Sequence, residues 1–143
     1  MNETCNALKL LTESRLSRTP HRIAVLNLLI GAERILSAGE IAEKAMKSGQ
    51  GINKVTIYRM LTTFKNAGII REVTTDQGIK HYEMACVHNP VHPHFFCVEC
   101  RTMACLSSLP APEVAKLFKG SVFKIDSISI NISGVCAQCR EKN

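Results

Sequence analysis

The stretch HNPVHPHFFCVEC, His88 to Cys100, sets three histidines and two cysteines within thirteen residues. A second CxxC pair, Cys136 and Cys139, follows. Thiolate and imidazole are soft to borderline metal donors. Two CxxC knuckles supply the four sulfurs of a tetrahedral site, which suits zinc. Cys97, Cys100, Cys136 and Cys139 are therefore the expected ligands of a structural zinc. The gap between the pairs is longer than in a zinc ribbon. It holds a strand–helix–strand unit that must fold back to bring the knuckles together. A bound ion would contribute folding free energy directly. A thioredoxin-like redox centre would place CxxC at a helix start in a βαβ setting, whereas these pairs stand among strands and turns.

Cys86, His92 and His94 form a second constellation, with Cys105 as a further thiol candidate. His92 and His94 are two apart, so on a strand they face the same side. Pro90 and Pro93 stiffen the approach. Two imidazoles with a thiolate favour zinc over iron or manganese. Cys5, His81 and His88 are read as incidental surface or core residues. A zinc deaminase would pair H-x-E with P-C-x-x-C. Here Phe96 precedes the first CxxC, and neither His92 nor His94 begins H-x-E. A four-sulfur site also leaves no open position for water. Neither an enzyme nor a small-molecule substrate is expected.

These side chains need elements to hold them. Asn6 to Ser14 reads as a short helix. Thr19-Pro20 supplies an N-cap and a proline at the first helical position of a second helix, which buries Ile23, Leu26, Leu29 and Ile30. Ser37 and Glu40 match a capping box, opening a helix with Ile41, Ala42, Ala45 and Met46 inside. Asn53 caps a helix from Lys54 to Ala67, closed by Gly68. Its stripe Ile57, Met60, Leu61 and Phe64 faces the core. Two β-prone runs, Ile69–Val73 and Ile79–Met84, make a hairpin around the turn TTDQG. Capped helices followed by a hairpin spell a winged helix-turn-helix.

The outward face of the helix from Lys54 to Ala67, with Lys54, Val55, Tyr58, Arg59 and Thr62, is the expected DNA reader. Arginine reads guanine edges and valine meets a thymine methyl. Lys54 and Thr62 suit phosphates, and Arg15, Arg18 and Arg22 stand where they can touch backbone or a minor groove. Between Arg15 and Arg71 lie ten Lys/Arg against three acids, in a chain of net charge +6, which suits a nucleic-acid partner.

Beyond Ala85 the pattern turns to strands: His94–Glu99, Thr102–Leu106 and a long run from Val122 to Ser133, with a short helix, Pro112 to Lys119, between them. A phase slip at Asp126–Ser127 predicts a bulge or break. The 143 residues suffice for one ordinary domain or two small ones. No run of eighteen apolar residues occurs, and no basic-then-apolar leader opens the sequence, so a cytoplasmic protein without membrane contact is expected. There, reducing thiol pools keep seven cysteines from forming a disulfide framework.

The succession RTPHR, NKVTIYRMLTTFKNAGII, HYE, HPHFFCVEC and GVCAQC resembles the ferric uptake regulator family of prokaryotic metal-sensing transcription factors, over nearly the full chain. The resemblance implies an α+β protein: an N-terminal winged helix-turn-helix domain, residues 1–84, then a small zinc-containing α/β dimerisation domain, residues 85–143. It implies a homodimer that binds AT-rich pseudo-palindromes in double-stranded promoter DNA when metal is present, typically as a repressor in metal homeostasis. The paired CxxC motifs match the family's structural zinc site.

Iron and peroxide sensors of the family carry a histidine in a His-x-Ser/Thr-Ala pattern, where this chain reads Ile35-Leu36-Ser37-Ala38. The chain is more similar to the zinc uptake regulators. They carry an acid after the recognition helix, then a cysteine, then His-x-His. Those positions are Glu72, Cys86, His92 and His94, the implied ligands of a regulatory zinc. Cys105 falls where other members carry a carboxylate ligand, as an addition or alternative to Glu72. Val91, Pro93 and Ser127 occupy places where many members carry extra histidines, so no third site is expected. Ser17 replaces a common basic residue, leaving its contact to Arg15 or Arg18. The expected function is a zinc-responsive repressor; the alternative is an iron- or peroxide-responsive regulator of the same family.

Overall fold

The computed structural model describes residues 5–86, 89–108, 113, 116–120, 122–124 and 128–142. The chain divides into two compact units, Met1–Asn89 and Pro90–Asn143. Helix and sheet are mixed in both.

In the first unit every helix opens on a local cap. Asn6 caps α1 (Ala7–Glu13), its side chain accepting from the Lys9 amide at 3.1 Å. Thr19 caps α2 (Pro20–Ile30), with Pro20 at the first turn. Ser37 and Glu40 form the expected reciprocal box at the start of α3 (Ala38–Lys47): Ser37 Oγ accepts from the Glu40 amide at 3.1 Å, and Glu40 Oε2 accepts from the Ser37 amide at 2.8 Å. Asn53 caps α4 (Lys54–Asn66) through the Thr56 amide at 2.9 Å. After α4 the chain reverses at Gly68, whose φ of 75° needs a residue without a Cβ.

The core gathers one apolar stripe from each helix: Leu11 from α1, Val25, Leu26 and Leu29 from α2, Ile41 and Ala42 from α3, and Ile57, Leu61 and Phe64 from α4. Complete burial of a side chain such as Phe64 stabilises by about 1.5–3 kcal/mol. Ile23 and Ile30, expected inside, are half-buried, and Val25 takes the inner position instead. Met46, also expected inside, is 53% exposed at the solvent edge of the α3 stripe.

Two strands close the unit. β2 (Ile70–Thr74) and β3 (Lys80–Met84) pair antiparallel around a turn that ends in Gly78, φ 79°. A two-residue strand, β1 (Leu36–Ser37), pairs with the other edge of β3, giving the order β1-β3-β2. The unit runs on past Met84 to Asn89, beyond the boundary expected at residue 84. Hydrogen bonds hold this extension: Ala85 amide to Ile69 carbonyl at 2.9 Å, Asn89 Nδ2 to Met84 carbonyl at 2.7 Å, and Arg71 Nη2 to Asn89 carbonyl at 2.7 Å.

The second unit is a small sheet and a terminal helix. β4 (His94–Cys97) pairs antiparallel with β5 (Met103–Cys105) and parallel with β6 (Asn131–Gly134), in the order β5-β4-β6. A parallel partner requires a long crossover, which is what separates β4 from β6 in sequence. Helix α5 (Ala137–Lys142), not expected from sequence, follows β6. Of the expected helix Pro112–Lys119, Glu113, Lys116 and Leu117 are helical, while residues 112, 114 and 115 lie outside the described residues. Val122 and Phe123 sit in a bend rather than a strand, and the slip at Asp126–Ser127 also lies outside the described residues.

Candidate metal centres and nucleic-acid face

The first metal group is built at the end of β4. Cys97 is the last residue of the strand, and the chain turns tightly so that the Arg101 amide donates to the Cys97 carbonyl at 2.9 Å. Arg101 closes this knuckle with φ 62°, a left-handed conformation that disfavours an L side chain by about 1–2 kcal/mol. The parallel pairing of β6 with β4 then carries the second knuckle alongside the first, with the Val98 amide donating to the Gly134 carbonyl at 2.9 Å. A Cβ at Gly134 would stand 3.2 Å from Phe95 Cε2, so the strand entering the second knuckle is pressed against an aromatic edge. The first turn of α5 presents Cys139.

The result brings together the four cysteines expected from the spacing. Their Sγ atoms lie within 4.8 Å of one another. Cys100 and Cys136 sulfurs are 3.8 Å apart. Zn–S bonds of about 2.3 Å in a tetrahedron require S–S edges of about 3.8 Å, so the spacing fits zinc. The Cys136 amide donates to Cys97 Sγ at 3.4 Å. That bond, with the Cys100 and Glu99 amides, holds the Cys97 thiol down at about 6. Cys139 moves the other way, pushed up to about 12 by its hydrogen bond with the Cys136 thiol and by burial. Cys100 is lowered, first by the Thr102 hydroxyl. Crowded thiols thus oppose one another's ionisation, and a divalent cation is the partner that lets all four ionise together.

The second group lies at the other end of the same strand. His94 opens β4 and is the direct cross-strand partner of Cys105 on β5. Directly opposed residues share a face of the sheet, which sets the Cys105 thiol beside the His94 imidazole. His92 precedes the strand by two residues and lies on the same side, its ring centroid 4.5 Å from that of His94. Ligand atoms of His92, His94 and Cys105 all fall within 4.8 Å of one another. Both imidazoles are buried and the cysteine is exposed. His92 Nδ1 stands 2.8 Å from the Pro90 carbonyl, so it carries the proton and leaves Nε2 with the lone pair for a metal.

Of the other two residues implied as regulatory ligands, Glu72 has partners of its own. Glu72 pairs across the β2–β3 ladder with Tyr82, whose hydroxyl donates to Glu72 Oε2 at 2.8 Å. Lys65, in the last turn of α4, donates to Glu72 Oε1 at 3.2 Å. Burial pushes the Glu72 carboxyl up, but Tyr82, Lys65 and Lys80 outweigh it and the net shift is downward. Tyr82 is raised, by burial and by the Glu72 carboxylate. Burial and the nearby Cys86 thiol push the Cys5 thiol up to about 11. Among the described residues, neither Glu72 nor Cys86 belongs to a cluster of three or more ligand-type side chains. Glu72 is engaged inside the first unit by Tyr82 and Lys65. Of the residues set aside as incidental, His81 is buried on β3, while His88 lies outside the described residues.

The face of α4 opposite the core carries Lys54, Val55, Tyr58, Arg59 and Thr62, all exposed. Val55, a large apolar residue, is 60% exposed. Lys54 Nζ lies 5.7 Å from the centre of the Tyr58 ring. Thr62 Oγ1 donates to the Tyr58 carbonyl at 3.1 Å, so its hydroxyl is tied to the helix. Arg15 and Arg18 are exposed, Arg15 with φ 57° where the chain leaves α1. Arg22 is half-buried and donates to Ser17 Oγ at 2.6 Å and to the Ser17 carbonyl at 3.2 Å. No helix of the described residues is long and apolar enough to cross a membrane.

The ferric uptake regulator family model matches residues 13–133. The ferric uptake regulation protein of Neisseria meningitidis serogroup B (strain ATCC BAA-335 / MC58) is 30% identical over 145 residues, spanning 98% of this chain and 97% of its own. A structure of the ferric uptake regulator of Francisella tularensis with iron is 27% identical, covers 87% of this chain and 95% of its own, and superposes with a TM-score of 0.71. A zinc uptake regulator complexed with zinc and DNA shares the fold at 20% identity, with a TM-score of 0.65 over 95% of this chain and 91% of its own.

Proposed function

Since the chain belongs to the ferric uptake regulator family, whose members are metal-responsive transcription regulators and not enzymes, we propose that it is a zinc-responsive repressor binding promoter DNA as a homodimer. The observation that carries the zinc assignment is the cross-strand pair of His94 and Cys105 with His92 beside it. Two imidazoles and a thiolate form a borderline-soft donor set, which prefers zinc to iron(II) or manganese. Cys97, Cys100, Cys136 and Cys139 hold the structural zinc. His92, His94 and Cys105 hold the regulatory one, and Glu72 keeps Tyr82 and Lys65 as its partners in the first unit.

The first unit, Met1–Asn89, acts as the winged helix and the second, Pro90–Asn143, as the dimerisation domain. On α4, Arg59 and Tyr58 read base edges, Val55 meets a thymine methyl, and Lys54 and Thr62 face phosphates, with Arg15, Arg18 and Arg22 on the flanking backbone. A second copy of the chain covers the exposed apolar side chains of the second unit, among them Leu117, Val122 and Phe123, at 75%, 92% and 78% exposure. Apolar surface of this kind marks an association face. In a dimer the two α4 helices must stand about 34 Å apart, one turn of DNA, or a multiple of it.

When bound, the regulatory zinc supplies a cross-link between ligands that are otherwise independent. His92, His94 and Cys105 thereby favour the DNA-competent arrangement, with a coupling of about 1–3 kcal/mol, or about 5–150-fold in affinity. By linkage, operator DNA tightens zinc binding by the same factor. Because the thiol must ionise and the imidazoles must be neutral to bind, zinc affinity falls as the solution is acidified.

The test is a mobility shift on the promoter region of the protein's own gene, with zinc, iron(II) and manganese at buffered free concentrations. Zinc is expected to promote binding at the lowest concentration. Full stimulation by iron(II) with none by zinc would establish the iron-responsive alternative in its place.

A further inference from the structure

α3 ends at Lys47 and α4 begins at Lys54, so residues 48–53 make the turn that leads into the helix. Ser48 is tied back to α3: its amide and its hydroxyl both donate to the Ala45 carbonyl, at 3.3 and 2.6 Å. At the far side Ile52 is buried in the core of the first unit, and Asn53 caps α4. Between these anchors lie Gly49, Gln50 and Gly51. Both glycines have positive φ, 77° and 68°, and a Cβ on either would meet nothing within 4 Å among the described residues. Packing therefore does not pin this stretch at its glycines.

A hydrogen bond from another helix pins it at Gln50. His21 stands half-buried in the first turn of α2, and its Nε2 lies 3.1 Å from the Gln50 carbonyl. A carbonyl oxygen only accepts, so Nε2 carries the ring proton and donates it. The start of α2 is thereby tied to the middle of the turn ahead of α4.

We infer that His21 is a positioning residue for base reading: its bond to the Gln50 carbonyl fixes the turn that delivers the first residues of α4 to DNA. This role rests on α4 being the DNA-facing helix proposed above. A binding constellation must be held to within about 0.5 Å by the groups behind it. Lys54 and Val55, both exposed in the first turn of α4, follow directly on residues 48–53 and depend on them most. Tyr58 and Arg59 lie further along, where Ile57, Met60 and Leu61 seat the helix in the core. Without the tether Val55 drifts from its thymine methyl while the fold stays in place. Affinity for arbitrary duplex comes mainly from lysine and arginine on phosphates. His21→Ala removes neither, so its cost falls on discrimination between sequences.

Zinc-loaded full-length protein is compared as wild type, His21→Ala and His21→Gln. Glutamine carries an N–H donor at a reach similar to that of the imidazole Nε2. Without DNA, backbone relaxation is expected to give order parameters of about 0.85 at Gln50 and Gly51 in wild type and His21→Gln, and below about 0.6 in His21→Ala. Operator affinity is expected to fall at least about 5-fold in His21→Ala, within the range of one base contact, with scrambled DNA changed by less than about 2-fold. His21→Gln is expected to recover both readouts. Equal losses on operator and scrambled DNA, with order parameters unmoved, would make His21 a phosphate contact and overturn the role. Unchanged operator binding in His21→Ala, or no recovery by glutamine, would overturn it as well. A wild type that binds operator and scrambled DNA alike refutes the proposed function itself, and this role with it.

Discussion

Cys105 faces His94 directly across the β4–β5 ladder. The antiparallel register, not nearness in sequence, puts a thiol beside an imidazole here. Replacing Cys105 by serine keeps the size and removes the soft donor. Cys105→Ser is expected to abolish most of the zinc-dependent gain in DNA affinity, about 5–150-fold in the wild type, while far-UV spectra and dimer mass stay unchanged. An undiminished zinc response in this variant would remove Cys105 from the regulatory site.

Cys136 contributes both its sulfur and the amide that bonds Cys97 Sγ. Cys136→Ser should release one tightly held zinc per chain, since three sulfurs cannot close a structural tetrahedron. Zinc binding in small zinc domains supplies on the order of 10 kcal/mol, so the second unit should lose its cooperative melting. Metal analysis and calorimetry check this; full zinc content with an unchanged melting curve would speak against the four-sulfur assignment.

Arg59 and Lys54 share the exposed face of α4 but should differ in what they recognise. Arg59→Ala is expected to weaken operator binding by about 1–3 kcal/mol with much less effect on scrambled DNA. Lys54→Ala should weaken both alike and lower the salt dependence by about one counterion. Equal losses for Arg59→Ala on both duplexes would reduce it to a phosphate contact.

Tyr82 donates to Glu72 within the β2–β3 ladder. Tyr82→Phe removes that bond alone and is expected to lower stability by about 1–3 kcal/mol, because the acceptor is a carboxylate. Zinc affinity should be unchanged if Glu72 serves the hairpin and α4 rather than a metal. A large change in zinc affinity would return Glu72 to the ligand set.

Glu40 is held down at about 2, first by its hydrogen bond to Arg34, with the Ser37 amide adding to the effect against burial. A carboxyl depressed on folding contributes stability that is present above its unfolded value, near 4.5, and is lost as pH falls toward about 2. Since the pair is partly exposed, the effect is screened and modest. Glu40→Gln keeps an acceptor for the Ser37 amide and should flatten the acid limb of stability against pH. Glu40→Ala also breaks the capping box, for a loss of about 1 kcal/mol at neutral pH. Urea unfolding at a series of pH values separates the two.

The helix starts of the first unit are legible in the sequence because capping is local: Thr19-Pro20, Ser37 with Glu40, and Asn53 each act within one turn. The four clustered cysteines are legible because CxxC spacing and knuckle geometry are one and the same property. What escapes is whatever depends on register between distant segments. β1 is two residues long and shows no alternation, so its pairing with Tyr82 and His81 is invisible until β3 is in place. Likewise, Cys105 lands beside His94 and Glu72 opposite Tyr82 only through tertiary pairing. Helix α5 is too short to display a periodicity, although it carries Cys139.

Four residues of β4 join the two metal groups, with His94 at one end and Cys97 at the other. At about 3.3 Å per residue, this rigid spacer is roughly 10 Å long. Its alignment with β5 and β6 is anchored where the knuckles meet, so the histidine end inherits its geometry from the sulfur end. On the function proposed above, assembly has an order: the tightly held ion comes first and builds the receptor for the exchangeable one. A cell starved deeply enough to strip the first would lose the sensing device itself, not merely receive a low reading from it.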